Sequence, residues 1–485
     1  MKTTLNALRP LVLLFLIGGI LACSDDDGKK ESAVEFKVTP EQMEFAAKGG
    51  YSIVNIRAAS DSEWSISSSA DWCTVATSTA TGNGHITMAV AENETAESRT
   101  ATLTIAAAEG LAKTLQITQA AKAATANQIV YDLPPDSSNM GGLTSVQFSA
   151  NMKTGWNIGN SLDATGGETA WGNPAVTQQL ILAVKAAGFN TVRIPVAWSN
   201  FSNAANFTIN TAWMDRVEQV VKYVTDNGMY AIVNIHWDGG WMQPTYAQQA
   251  YVNDRLAKMW KQIGTRFRNY DYHLLFAGTN EVMVTNNYGT PTTEYYTVQN
   301  SFNQTFVNAV RSTGGRNAYR YLVVQGFNTN IDHTVAFATI PVDVAVATKR
   351  LMMEVHYYDP YNFSLNESAS NNITQWGAGA TDPSKTETWA NEAFADNQFQ
   401  KMKTNFIDKG VAVVLGEFGA IARTDVAGSE NFRKAYVSYI SKSARNHGLV
   451  PIYWDNGFTG NHGMGLFNRA TGAEVYPALI DAVLP

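Results

Sequence analysis

Val411-Ala412-Val413-Val414-Leu415-Gly416-Glu417-Phe418-Gly419 is a short valine-rich run that stops on a glycine and a carboxylate. An apolar run of this length, bounded by glycine, reads as a strand buried on both faces, the kind that parallel sheets use. Comparable runs stand on its flanks at Gly155–Ile158, Thr191–Pro195, Tyr230–Ile235, Leu274–Ala277, Tyr321–Gln325, Met352–His356 and Val450–Tyr453. Amphipathic segments of helical length lie between them, at Val176–Ala187, Ala212–Asp226, Gln249–Phe267, Tyr295–Ser312, Ala393–Lys409 and Phe432–Asn446. The fifth crossover, around Asp332 to Ala338, is thin. Eight strands over residues 140–485, each followed by a crossover, predict an α/β fold of the (β/α)8 TIM-barrel type.

In such a barrel, working residues gather where the strands end. Those ends supply Asn157 and Asn160, then Arg193, His236, Asn280 with Glu281, His356 with Tyr358, Glu417 and Trp454. Carboxylates and imidazoles are rarely buried without a partner, so core packing does not explain the set. Two glutamates meet the demand of glycoside hydrolysis: one carboxyl protonates the leaving oxygen and the other stays ionised at the anomeric carbon. Arg193 and the Tyr358 hydroxyl are expected to keep Glu417 charged, and Trp454 offers a flat apolar platform for a sugar ring. The bland alternative for the glutamates is a buried ion pair. No histidine pair has zinc-site spacing, and neither a Gly-x-Ser-x-Gly elbow nor a phosphate loop occurs, so no metal and no cofactor is implied.

The motifs also carry a family resemblance. Gly155-Trp156-Asn157-Ile158-Gly159-Asn160-Ser161-Leu162-Asp163-Ala164 and Glu168-Thr169-Ala170-Trp171-Gly172-Asn173-Pro174 resemble the opening of glycoside hydrolase family 5, subfamily 4. Val192-Arg193-Ile194-Pro195-Val196, Asn234-Ile235-His236-Trp237, Thr279-Asn280-Glu281, His356-Tyr357-Tyr358, Leu415-Gly416-Glu417-Phe418-Gly419 and Tyr453-Trp454-Asp455 follow in the family's order. Val282 stands where the family usually has proline. The resemblance implies a retaining mechanism with Glu417 as nucleophile and Glu281 as acid and then base. It also implies a supporting shell of Arg193, His236, Asn280, His356 and Tyr358, stacking on Trp454, and a cis peptide after Trp454. The family's subfamily activities fall on β-1,4-glucan backbones, chiefly xyloglucan, mixed-linkage glucan and cellulose derivatives.

Ahead of the barrel, residues 34–121 alternate apolar and polar at short spacing, as in His85-Ile86-Thr87-Met88-Ala89-Val90, which predicts a small all-β, immunoglobulin-like sandwich. Its order of features resembles a BACON domain, and Trp64 and Trp72 are read as core rather than as a sugar platform. Residues 122–139, with Pro134-Pro135, read as a linker. At the start, Leu11 to Leu21 is too short to span a bilayer and suits a signal peptide over residues 1–22. Leu21-Ala22-Cys23 resembles a lipobox, so Cys23 is the expected lipidation site, 23–33 a tether, and the outer membrane the expected location, facing outside. Cys73 is then left without a partner, which excludes a disulfide framework.

A net charge of −7 and the absence of basic runs give no footing for nucleic acid, and nothing points beyond a monomer. The expected partner is a polysaccharide. Trp171, Trp241 and Trp376 lie in Gly/Asn/Pro-rich segments after strands and, with Asn160 and Trp454, are the candidate sugar contacts. The long segment between His356 and Ala393 suggests a groove and endo cleavage. Together with the activities that the resemblance implies, the expected function is an endo-acting β-1,4-glucan hydrolase, above all a xyloglucanase. Its rivals are a mixed-linkage glucanase, xylanase or mannanase on the same scaffold, or a surface glycan-binding protein whose barrel does no chemistry.

Overall fold

The computed structural model describes residues 35–95, 97–121, 130–236, 239–343, 349–368 and 370–485. The signal peptide, the Cys23 lipobox and the tether lie outside the described residues, as do the first eight positions of the linker. The chain divides into two compact units between residues 126 and 127. Among the described residues no helix is long and apolar enough to cross a membrane.

The N-terminal unit pairs a four-stranded sheet with a five-stranded one. Alternation decides which face is inward: Val54 and Ile56 of one sheet and Leu103, Ile105, Leu115 and Ile117 of the other are buried, while their neighbours along each strand point out. Trp64 is buried in that core and its indole N–H donates to the Gly82 carbonyl at 2.8 Å. Trp72 packs against the same core under the Arg99 guanidinium, 4.4 Å from the ring centre. Cys73 is a buried free thiol whose pKa burial pushes up, so it behaves as a small apolar group.

The second unit is a closed barrel of eight parallel strands. They run Gly155–Ile158, Thr191–Ile194, Tyr230–Asn234, Leu274–Ala277, Leu322–Gln325, Leu351–Tyr357, Ala412–Phe418 and Leu449–Asp455. Helices cover the outside, the largest being Thr211–Thr225, Tyr246–Phe267, Thr293–Ser312 and Ser429–Asn446. The thin fifth crossover is a seven-residue helix, Ile331–Phe337. The barrel interior is filled by Ile232, Leu275, Val323, Met352, Val414 and Ile452, which join a single cluster with Phe148 and Met152. These last two lie on a short helix, Ser145–Met152, started by a capping box between Thr144 and Gln147. Its Phe148 ring stacks on Tyr321 at 3.8 Å and plugs the end away from the site.

Two regular ladders break where chemistry is expected. Strands six and seven shift register between Val355 and His356, and strands seven and eight shift between Leu415 and Phe418. A bulge re-aims the side chain beside it, and these two re-aim His356 and Glu417.

Three expectations need correction. The last part of the linker is docked on the barrel: Asp132 N–H donates to Ser312 O, Asp136 N–H to Gly315 O, and Tyr272 N–H to Asn139 O. Proline-rich sequence reads as linker because proline has no N–H to give, but the residues around Pro134-Pro135 donate here and the Pro134 carbonyl accepts from Gly315 N–H at 3.2 Å. The cis peptides among the described residues are Thr39–Pro40 and Asp359–Pro360, so the bond after Trp454 is trans, and Asp455 continues the ladder opposite Ile158. Trp376 belongs to the core rather than to a cleft. It is 2% exposed, donates its indole N–H to Ala390 O at 2.7 Å, and packs edge-on against Tyr436.

Candidate active site

The strand ends converge on two carboxylates. One oxygen of Glu281, one of Glu417 and a ring nitrogen of His356 all lie within 4.8 Å of one another. That proximity matches retaining glycosidases, whose carboxyl groups stand about 5–5.5 Å apart, rather than the wider gap that leaves room for water in inverting ones. The two differ in access. The Glu281 side chain is 37% exposed and that of Glu417 only 7%.

Arg193 reaches Glu417 from the second strand. Its Nη1 donates to Glu417 Oε1 at 2.9 Å and to Asn157 Oδ1 at 3.0 Å, and its Nη2 donates to Asn280 Oδ1 at 2.5 Å. Tyr358 closes the other side, its hydroxyl donating to Glu417 Oε2 at 3.1 Å. His356 Nδ1 sits 2.7 Å from Glu281 Oε1 and 3.6 Å from Glu417 Oε2. Glu281 itself adopts a left-handed backbone, φ 46°, and its N–H donates to Gln325 Oε1 at 3.2 Å. A non-glycine residue in that region is costly and persists only where its surroundings hold it.

His236 plays a different part. Asn234 Oδ1 accepts from the Val196 N–H at 3.1 Å, which fixes the amide orientation, so Asn234 Nδ2 donates to His236 Nδ1 across 3.1 Å. The neutral imidazole therefore carries its proton on Nε2 as a donor. Burial first, and then the Arg193 and His356 charges, hold its pKa well below the ordinary value, so it stays neutral. Its ring lies parallel to the Trp454 indole, 5.8 Å between centres. Gly159 permits that placement, since a Cβ there would come within 2.6 Å of the Trp454 ring.

Charge at the centre is a balance. Burial pushes the Glu417 carboxyl up, while the His356 and Arg193 cations pull against it. Arg193 and Tyr358, which the sequence reading expected to keep Glu417 charged, do not by themselves offset its burial; His356 is the first of the groups that oppose it. Burial opposes charge on His356 as well, but Glu417, Glu281 and Glu354 outweigh it and raise the imidazole to about 9. Tyr358 is pushed well above the ordinary phenol by burial and then by Glu417, so it remains a donor. Within the cluster of Glu281, His356 and Glu417, the imidazolium and the adjoining Arg193 already pair with both carboxylates, so positive charge stands where a metal ion would sit.

The candidate sugar contacts separate. Trp241 lines a cavity of about 370 Å³ with Asn280, Glu281, Met242, Gln243 and Tyr288, held under the Arg255 guanidinium at 4.3 Å. Trp171 is exposed on the loop after the first strand, and a Cβ on the adjoining Gly172 would touch Phe458 from the loop after the eighth. Asn160 is half-buried with φ 55°, its N–H donating to Asp163 and its carbonyl accepting from Asn173. Glu354 was missed. It is fully buried on strand six between Arg193 and His356. The alternation Glu354, His356, Tyr358 was the signal that could have found it.

The cellulase model of glycosyl hydrolase family 5 matches residues 156–460, and a model described as a viral BACON domain matches residues 35–122. The chain is 40% identical to a xyloglucan-specific endo-β-1,4-glucanase of Bacteroides ovatus, over 98% of this chain and 95% of that one. Among solved structures, a family 5 xyloglucanase of Bacteroides ovatus in complex with a XXXG heptasaccharide superposes with a TM-score of 0.71 at 40% identity, covering 93% of this chain and 99% of that one. A subfamily 4 broad-specificity endoglucanase from Bacteroides salanitronis gives 0.66 at 39% identity, covering 73% and 97%.

Proposed function

Since the chain belongs to glycosyl hydrolase family 5, we propose that it is a retaining endo-β-1,4-glucanase that cuts xyloglucan at a bacterial cell surface. The observation that carries the chemistry is the pairing of half-exposed Glu281 with buried Glu417 at the short spacing. Glu281 donates its proton to the glycosidic oxygen as that bond breaks, while Glu417 attacks the anomeric carbon and forms a glycosyl ester. Arg193 and Tyr358 release Glu417 from its hydrogen bonds as its charge is spent. Water, deprotonated by Glu281, then opens the ester and restores both carboxyls.

Preference for a branched glucan is supported by the roomy cavity beside Glu281, walled by Trp241 and Tyr288, where a side-chain sugar can lie against apolar faces. It is supported also by likeness along nearly the whole chain to a protein named for xyloglucan. Asn160, Trp171 and Trp454 supply further sugar contacts in this reading, and Cys23 supplies the lipid anchor that places the enzyme on the outer membrane, facing outside.

The test is reducing-sugar release by the 34–485 protein on xyloglucan, mixed-linkage glucan, carboxymethyl cellulose, xylan and mannan. A preference for xyloglucan of tenfold or more in kcat/KM, with oligosaccharide products, is expected. Equal rates on undecorated glucans would make it a general endoglucanase, and monosaccharide products alone would sink the endo reading. For the anchor, labelled fatty acid incorporation into the full chain should vanish in Cys23→Ala.

A further inference from the structure

Of the acidic side chains at the centre of the barrel, Glu354 has no route to substrate. It is wholly buried on strand six, yet a single oxygen, Oε1, meets Arg193 Nε at 2.9 Å and His356 Nε2 at 3.1 Å. The other ends of those two partners hold the two working carboxyls, Glu417 through Arg193 and Glu281 through His356. Gly416 leaves the space: a Cβ there would overlap the Glu354 carboxylate, and no positive φ requires glycine at that position. The glycine before the nucleophile therefore serves Glu354.

Resting on the assignment of Glu281 and Glu417 above, we propose that Glu354 is a positioning residue, one fixed anion that orients Arg193 toward Glu417 and dictates which nitrogen of His356 exchanges its proton with Glu281. An ionised carboxylate only accepts hydrogen bonds, so Glu354 demands a proton on Nε2 in every state. Nδ1, facing Glu281 at 2.7 Å, is then the nitrogen that gains or loses one. This holds the proton for the leaving oxygen within a single Glu281–His356 pair. The charged and titratable groups facing His356 are Glu281, Glu417, Glu354, Arg193, Tyr358 and His236. Glu354 is the one carboxylate among them that neither reaches the cleft nor changes charge, because the Arg193 and His356 cations outweigh its burial and hold it below the usual carboxylate range.

The test begins with nitrogen NMR on the native, substrate-free enzyme labelled at histidine, with the His356 signals assigned by their loss in His356→Gln. As pH rises through about 9, Nε2 should stay protonated and Nδ1 should lose its proton. A neutral form protonated on Nδ1 overturns the proposal, whether or not xyloglucan is the substrate. In Glu354→Gln, kcat should fall roughly ten- to a hundredfold with little change in KM, since a small misplacement of reacting groups costs that much. Its alkaline limb should move down by about one pH unit, the effect of losing one neighbouring anion. Gly416→Ala, which displaces the carboxylate without changing charge, should move the limb the same way. A folded Glu354→Gln with an unmoved limb also overturns the proposal, and if neither variant folds, the native tautomer decides.

Discussion

Arg320 and Arg350 at the plugged end of the barrel and Arg193 at the open end are all buried, and they keep different company. At the plugged end, Arg320 is fully buried and both Nη atoms reach main-chain carbonyls, Asp271 and Leu274 through Nη1, Phe267 and Tyr270 through Nη2, while Nε donates to Asn317 Oδ1. Burial and the nearby Arg311 charge bring its pKa down to about 9. Arg350 does the same work with Met140 O at 2.7 Å, over the Tyr321 ring. At the open end Arg193 is equally buried, but burial is outweighed by Glu354 and Glu417 and its pKa rises. Carbonyl partners tie loops together. Of the two carboxylate partners of Arg193, Glu417 is held by a cation that cannot leave and has a charge to spend on a substrate, while Glu354 keeps its own.

The comparison can be broken in graded steps. Glu417→Gln should lower turnover on the order of 10⁴-fold or more while polymer binding persists, because the covalent route is gone. A loss under tenfold would mean that another group carries the first step.

Next, Arg193→Met and Arg320→Met should part company. The first should cost at least about a hundredfold in kcat. The second leaves several carbonyls unpaired and should cost about 2–4 kcal/mol of unfolding free energy with kcat nearly unchanged. If both variants lose activity alike at temperatures where both are folded, the division between the two ends fails.

Two tryptophans sharpen the same line within the open end. Trp376→Ala should lower stability by about 3–5 kcal/mol and leave KM alone, whereas Trp241→Ala should raise KM about tenfold and barely move the melting temperature. Melting curves and initial rates on one substrate decide it.

The smallest effect is in pH. His356 is raised in the fold to about 9 from an ordinary 6.5, so its charge favours folding fully below pH 6.5, and that contribution is lost as pH rises through 9. Urea midpoints should therefore decline between those values, and His356→Gln should flatten the decline. An unchanged slope in the variant would contradict the balance of charges drawn for the centre.

Much of this was legible because parallel barrel strands write themselves as short apolar runs, and their last residues stand out by type. Glu281 and Glu417 each follow such a run, His356 closes one and Arg193 stands near the end of another, and they meet. Glu354 hid because it lies within its run, Met352-Met353-Glu354-Val355, where a charge reads as an interruption unless the alternation with His356 is followed. Trp376 misled for the opposite reason: glycine and asparagine around it suggest an open loop, but the loop folds back and Ala390 and Tyr436 enclose the indole. Pairing between residues hundreds apart, such as Asn157 Nδ2 with Gly416 O at 2.7 Å, leaves no local trace in the chain.

The central claim is that Glu417 attacks sugar while Glu281 handles the proton. It is tested most directly by incubating the enzyme with a 2-deoxy-2-fluoro cello-oligosaccharide bearing a good leaving group, followed by mass spectrometry of its peptides. The expected result is one glycosyl adduct, on the peptide carrying Glu417 and on that side chain. An adduct on Glu281, or turnover with no adduct and an inverted product, would contradict it.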